Sequence, residues 1–352
     1  MKVTLWREDV AILRPVAAVA QRHDNRVRLF VRLEHDDEWG FGEVAPQTRA
    51  LNGDPSVDEV IDELESVVLP QLREVVKREG SPPSWTRVAR FAGSRPSSPV
   101  AVSLVEMAVL DRELRATHRE ARALWPKRFS TPVQSTVSLL DLDQPWVIGD
   151  DVARVRVKTA PGPLASGALD RLAALTVPIV LDFNCSANDA GDVLEQVAQI
   201  GPAATIAAVE QPFAPGNVVD HAVLGQRLQV PLSLDEGVRS LRDLEQIVRY
   251  RAARIVCIKP ARVGGLANAR TLVAKATELH LVPYFGGFFE SPFARGVHRL
   301  LAEHCVGEPS DLAVVELAGP LSGHEVADAP GGFGIAPAPG MLEGATVIAA
   351  GG

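Results

Sequence analysis

The chain has 352 residues, of which 46% are hydrophobic and 23% charged, a balance that supports a full core and excludes disordered, collagen-like and fibrous classes. With 36 Lys and Arg against 44 Asp and Glu the net charge is −8, which argues against a protein built to grip phosphate backbones, so no nucleic-acid partner is expected. The three cysteines, Cys185, Cys257 and Cys305, form no CxxC pair and sit at no zinc spacing; neither a disulfide framework nor a cysteine-zinc site is expected, and a reducing cytoplasm is.

At the N-terminus Arg7, Glu8 and Asp9 occupy the place where a signal peptide needs its apolar stretch. No later run approaches about eighteen uninterrupted apolar residues, so neither export nor membrane spanning is expected. Residues 26–35 alternate apolar and polar, then an Asp-Asp-Glu turn leads into a second short strand at WGFGEVAP, a pattern that predicts an antiparallel hairpin. Stretches 56–80 and 98–124 carry apolar residues at three-and-four spacing with Ser or Pro near each start, and predict long amphipathic helices. Strands followed by helices mark an α+β unit, ending near Trp125-Pro126.

From about residue 132 short β-rich runs alternate with helical stretches. Strands are predicted at 133–140, 152–158, 177–184, 205–212, 231–237, 254–260, 281–287 and 311–317. Eight such units predict a closed (β/α)8-type barrel, with an open doubly wound sheet as the alternative. The Gly- and Pro-rich tail is unsuited to another βα unit and is expected to wrap back onto the first domain.

Lys158, Asp182, Glu210, Asp235 and Lys259 each fall at or beside the C-terminal end of a predicted strand, separated by 24, 28, 25 and 24 residues. That is one βα unit each time, so in a barrel all five converge on the mouth where barrel enzymes carry their active sites. Singly, each has a plainer explanation as a helix cap, a surface pair or a solvated lysine; five in register are harder to explain that way. Three carboxylates in a partly dry site repel one another and take up protons unless a cation holds them. With only hard oxygens on offer, Asp182, Glu210 and Asp235 point to Mg²⁺, or Mn²⁺. Alternation along a strand places Asn184 on the face of Asp182 and Arg156 on the face of Lys158. Beside a divalent cation, like-charge repulsion and desolvation are expected to lower the lysine pKa values, making Lys158 and Lys259 usable bases on opposite faces of a bound carboxylate.

The pieces RVRVK, LDFN, VEQP, LDEG and IKPARVGG, with GFGEVAP and LVEMAVLDRELRA before them, resemble the enolase superfamily, and within it the muconate lactonizing subgroup. YFGGFFESPFARG and IKPARVGG are most similar to the o-succinylbenzoate synthases and N-succinylamino acid racemases. The resemblance implies a barrel of the modified (β/α)7β form over 126–325, with an α+β capping domain made of 1–125 and the tail 326–352. It implies an enzyme that takes a proton α to a carboxylate of a small molecule and forms a metal-stabilised enolate, then dehydrates or racemises; a muconate-type cycloisomerase, a dipeptide epimerase or a non-catalytic metal-stabilised binding protein are the alternatives. By the same resemblance Glu290 shapes the substrate end, Glu236 hydrogen-bonds a catalytic lysine, and the protein is a homo-oligomer. Arg156 departs from the family's Lys-x-Lys: it keeps the charge but is bulkier and no base.

Gly264-Gly265 and Gly286-Gly287 are read as tight turns rather than a phosphate site, Cys257 as a core side chain, and His298 and His304 as structural. Specificity is expected in cap loops near 16–25 and 46–55.

Overall fold

The N-terminal β structure is longer than the hairpin expectation covers. The structure is a computed structural model and describes residues 1–351 apart from 19–20, 92–94, 131, 140–145, 147 and 314–325, with backbone alone over 12–24. Strands β1 (Lys2–Ala18), β2 (Gln21–His35) and β3 (Glu38–Val44) form an antiparallel meander. One face of this sheet is covered by the helix Ser98–Ala116, which is buried nearly all round because it lies between layers. GFGEVAP makes the contact possible: a Cβ on Gly40 would stand 2.2 Å from the Ala108 carbonyl oxygen, and one on Gly42 2.1 Å from that of Leu104.

The stretch predicted as one helix over 56–80 is three pieces: Val57–Glu63, a π turn Leu64–Val68, and Leu69–Glu79. Pro70 explains the interruption, since it has no N–H to donate and its ring crowds the carbonyl one turn back. Ser56 and Glu59 close a capping box at the start, and Gly80 ends it at φ 73°.

Seven parallel strands follow: β4 (Val133–Ser138), β5 (Val152–Lys158), β6 (Ile179–Asp182), β7 (Ile206–Glu210), β8 (Leu232–Leu234), β9 (Ile255–Ile258) and β10 (Val282–Phe285), paired in chain order. Most of the predicted eighth strand, from residue 314, lies outside the described residues. Its first residues join the two ends of the sheet: Gln134 N–H donates to the Ser310 carbonyl at 2.9 Å, and Asp311 N–H to that of Phe285 at 2.8 Å. The architecture is therefore a closed (β/α)7β-type barrel behind an N-terminal antiparallel sheet domain, not an open doubly wound sheet. Toward the C-terminus β11 (Val326–Asp328) pairs with β12 (Ile335–Pro337), and β13 (Thr346–Gly351) adds antiparallel to β1. No helix among the described residues is long and apolar enough to cross a membrane.

Candidate active site

Parallel register sets Lys158 opposite Asp182, Asp182 opposite Glu210, and Glu210 opposite Ser233, so consecutive strand ends deliver the predicted residues to one rim. Asp235 and Lys259 stand just beyond β8 and β9. All are buried except Lys158, which is part-exposed. Lys158 Nζ donates to Asp182 Oδ2 at 2.5 Å and to Asn184 Oδ1 at 2.6 Å; Lys259 Nζ donates to Asp235 Oδ2 at 2.8 Å. Strands β6, β7 and β8 lie between the two amines.

Arg156 sits one alternation below Lys158 and reaches into the barrel. It donates from Nη1 to Glu210 Oε1 at 2.9 Å, bonds Asp311 through Nη2, and lies 3.7 Å from Asp182. Tyr284 OH donates to the other oxygen, Glu210 Oε2, at 2.5 Å. Glu236 Oε1 accepts from Asn184 Nδ2 at 3.2 Å rather than from a lysine, and its Oε2 is buried without a partner. Glu290 is set apart from the ring, ion-paired to Arg295 at 3.1 Å. Cys257 is buried in the core, and His298 and His304 lie on the helix Pro292–Cys305.

Five residues central to this geometry are absent from the sequence expectation. Arg262 clamps Asp54 of the first domain through two bonds of 2.8 and 2.7 Å and donates to Asp235 Oδ1 at 2.5 Å. Gln211 Oε1 accepts from the Asp235 and Gly237 N–H groups at 2.9 and 3.0 Å, fixing the loop that carries Asp235. Asp311 and Tyr284 complete the polar layer under the rim. Arg262 was visible inside IKPARVGG; Asp54 carries no local sequence signal, because its partner lies 208 residues away.

The charges do not cancel. Six carboxylates (Asp54, Asp182, Glu210, Asp235, Glu236 and Asp311) stand against five cations (Arg156, Lys158, Arg239, Lys259 and Arg262), leaving one negative charge in excess. Burial, with Asp182 beside it, pushes Glu210 up to about 7, and burial with Asp235 and Asp182 raises Glu236. Burial also opposes charge on Asp235 and Lys259, but Arg262 and Lys259 hold Asp235 well below the carboxylate range, and Asp235 holds the Lys259 ammonium above the ordinary lysine value. At Lys259 the adjacent carboxylate outweighs desolvation. Among the described residues no three acidic, His or Cys side chains gather in ion-holding geometry; Asp182, Glu210 and Asp235 are each turned to a protein cation. The donor chemistry nevertheless fits a hard divalent ion: all oxygens, an unbalanced negative charge, and the orphaned Glu236 Oε2 beside them.

The family model "Enolase C-terminal domain-like" matches residues 149–309. An N-succinylamino acid racemase of Amycolatopsis is 32% identical over 284 residues, covering 74% of each chain. An o-succinylbenzoate synthase of Bacillus subtilis is 25% identical over 315 residues, 86% of this chain and 81% of that one. In fold the chain is similar to the N-succinyl Arg/Lys racemase of Bacillus cereus, with a TM-score of 0.78 at 17% identity over 100% of this chain and 98% of the other. Strand-end lysines around a carboxylate ring, on a capped barrel, thereby find their setting: the chain is an enzyme of the enolase superfamily.

Proposed function

We propose that the mouth binds Mg²⁺ through Asp182, Glu210 and Asp235 and removes the proton α to a substrate carboxylate, with Lys158 and Lys259 as the acid/base pair. The observation that carries this is the placement of the two amines on either side of the three carboxylate-bearing strand ends. Mg²⁺, when bound, supplies positive charge beside the substrate carboxylate as negative charge develops there. The names of the similar relatives support o-succinylbenzoate formation, N-succinylamino acid racemisation, or both.

In the dehydration, Lys158 takes the α-proton and returns a proton to the departing hydroxyl, so that the C–O bond breaks and water leaves. Lys259, held as an ammonium by Asp235, stabilises the developing negative charge. In the racemisation one lysine removes the proton from one face and the other delivers a proton to the opposite face. Asn184 holds Lys158, and Arg156 with Tyr284 orients Glu210. In this reading residues 1–125 and 326–352 cap the barrel 126–325, and the enzyme works in the cytoplasm as a homo-oligomer; exposed Val219, Val223, Leu241 and Tyr250 on two outer barrel helices support association.

Exchange of the α-hydrogen in D₂O tests the reaction. Lys158→Ala and Lys259→Ala are each expected to lower exchange by about 10²-fold or more while the circular dichroism spectrum stays unchanged. Asp235→Asn is expected to weaken Mg²⁺ binding by calorimetry. Wild-type exchange in Lys158→Ala, or undiminished Mg²⁺ affinity in Asp235→Asn, removes that residue from its role.

A further inference from the structure

The inward face of β5 carries three cations in a line, Arg154, Arg156 and Lys158, at the alternate positions that strand geometry points into the barrel. Lys158 meets Asp182, and Arg156 meets Glu210 and Asp311. Arg154 meets no carboxylate among the described residues. It is 9% exposed, and its bonds go to neutral acceptors: Nε donates to Gln134 Oε1 at 2.6 Å and Nη2 to the Pro309 carbonyl at 2.8 Å. Among the described residues its Nη1 is left over. The amide of Gln134, fully buried, has its oxygen committed to Arg154 and its Nε2 without a partner.

These groups lie at the foot of the barrel. Gln134 is the second residue of β4, Arg154 the third of β5, and Pro309 comes just before the residues that close the barrel, so the cluster sits at the N-terminal ends of the strands, away from the mouth. At that face of a barrel side chains serve stability rather than chemistry. A guanidinium taken from water without an anion is costly, and so is a buried amide N–H with no acceptor. One small anion seated against Arg154 Nη1 and Gln134 Nε2 removes both costs together. The Tyr284 ring packs on the same group, its centroid 5.5 Å from the guanidinium carbon, and so little of Arg154 is open that the way in suits a small ion and not a bulky one.

We propose that the foot of the barrel is a binding site for a small monovalent inorganic anion such as chloride, held by Arg154 and Gln134 and separate from the candidate active site. Bound there, the anion completes the charge along β5 and steadies Tyr284, whose hydroxyl donates to Glu210. The site is a salt-dependent anchor of the barrel and stands independently of the proton-abstraction reading.

The test compares thermal melting of the full chain in potassium chloride and in potassium gluconate at equal ionic strength, gluconate being too large for the site. Chloride binding is read directly from the line width of the chlorine magnetic resonance signal. The wild type is expected to melt roughly 2 °C higher in about 0.2 M chloride than in gluconate, and to broaden the chloride signal in a way that added bromide reverses. Gln134→Glu places a carboxylate where Arg154 Nε already donates. It is expected to abolish both the broadening and the chloride response, and to melt in gluconate no lower than the wild type does in chloride. Arg154→Met is expected to abolish both as well, because the charge that the anion answers is gone. Equal melting of the wild type in the two salts with no broadening overturns the proposal. A chloride response that survives undiminished in Gln134→Glu overturns it too, since the ion then sits elsewhere; should Arg154→Met not fold, Gln134→Glu alone decides.

Discussion

Arg156 shows what one side chain does to this site. Its guanidinium joins Glu210 to Asp311, linking β7 to the residues that close the barrel, while Tyr284 occupies the second Glu210 oxygen. Arg156→Met is expected to leave two buried carboxylates unpaired and to destabilise the fold by about 3–5 kcal/mol, read as a fall in the chemical-denaturation midpoint. Arg156→Lys keeps the charge but spans fewer acceptors and is expected to cost less than half of that; equal losses for Met and Lys would show that geometry rather than charge is what matters. At this scale the titratable residues were legible because strand ends recur at one-unit spacing, and Lys158, Asp182, Glu210, Asp235 and Lys259 all reach one rim. Their partners were not, since whether Glu236 faces a lysine or Asn184 depends on side-chain direction around left-handed residues such as Asn184, at φ 44°.

Among the elements, β9 and β10 show how a glycine makes room for a site residue. Register pairs Cys257 with Tyr284, and a Cβ on Gly286, just after β10, would come within 2.5 Å of Cys257 Sγ and 3.0 Å of Lys259 Cε. Gly286→Ala is expected to displace Lys259, reduce α-hydrogen exchange by about 10-fold or more, and cost roughly 1–3 kcal/mol of stability. Replacing Cys257 by Ala in the same chain removes the sulfur that the new methyl meets, so the double variant should recover part of both losses. No recovery would place the conflict elsewhere. The Gly-Gly step reads as a turn from sequence; that its first glycine borders Lys259 is a fact of strand pairing. The helix over 56–80 was likewise visible as apolar periodicity, whereas Pro70 turned it into three segments.

At the scale of the whole molecule, two glutamates of the first domain cap two barrel helices. Glu43 accepts from the Ser291 and Ala294 N–H groups at 2.6 and 3.2 Å at the start of Pro292–Cys305. Glu106 accepts from those of Leu266 and Ala267, both at 2.8 Å, at the start of Leu266–Glu278. Burial raises Glu43 from 4.5 to about 7 and Glu106 from 4.5 to about 8. Between the unfolded and folded values the native state holds the extra protons, so stability from these groups is full below about 4.5 and is lost as pH rises through 7 to 8. Melting temperature should therefore fall from pH 5 to pH 8.5, and less steeply in Glu106→Gln; an identical slope in that variant would assign the dependence to other groups. GFGEVAP and LVEMAVLD thus act as struts between the domains as well as family signatures. By itself the sequence determined the order of strands and helices, the barrel, and the ring of lysines and carboxylates, because those follow from local periodicity and from one-unit spacing. Only the tertiary structure decided which cation each acid meets, that Asp54 reaches Arg262, and that Glu43 and Glu106 cap distant helices, because each depends on residues that folding, not chain proximity, brings together.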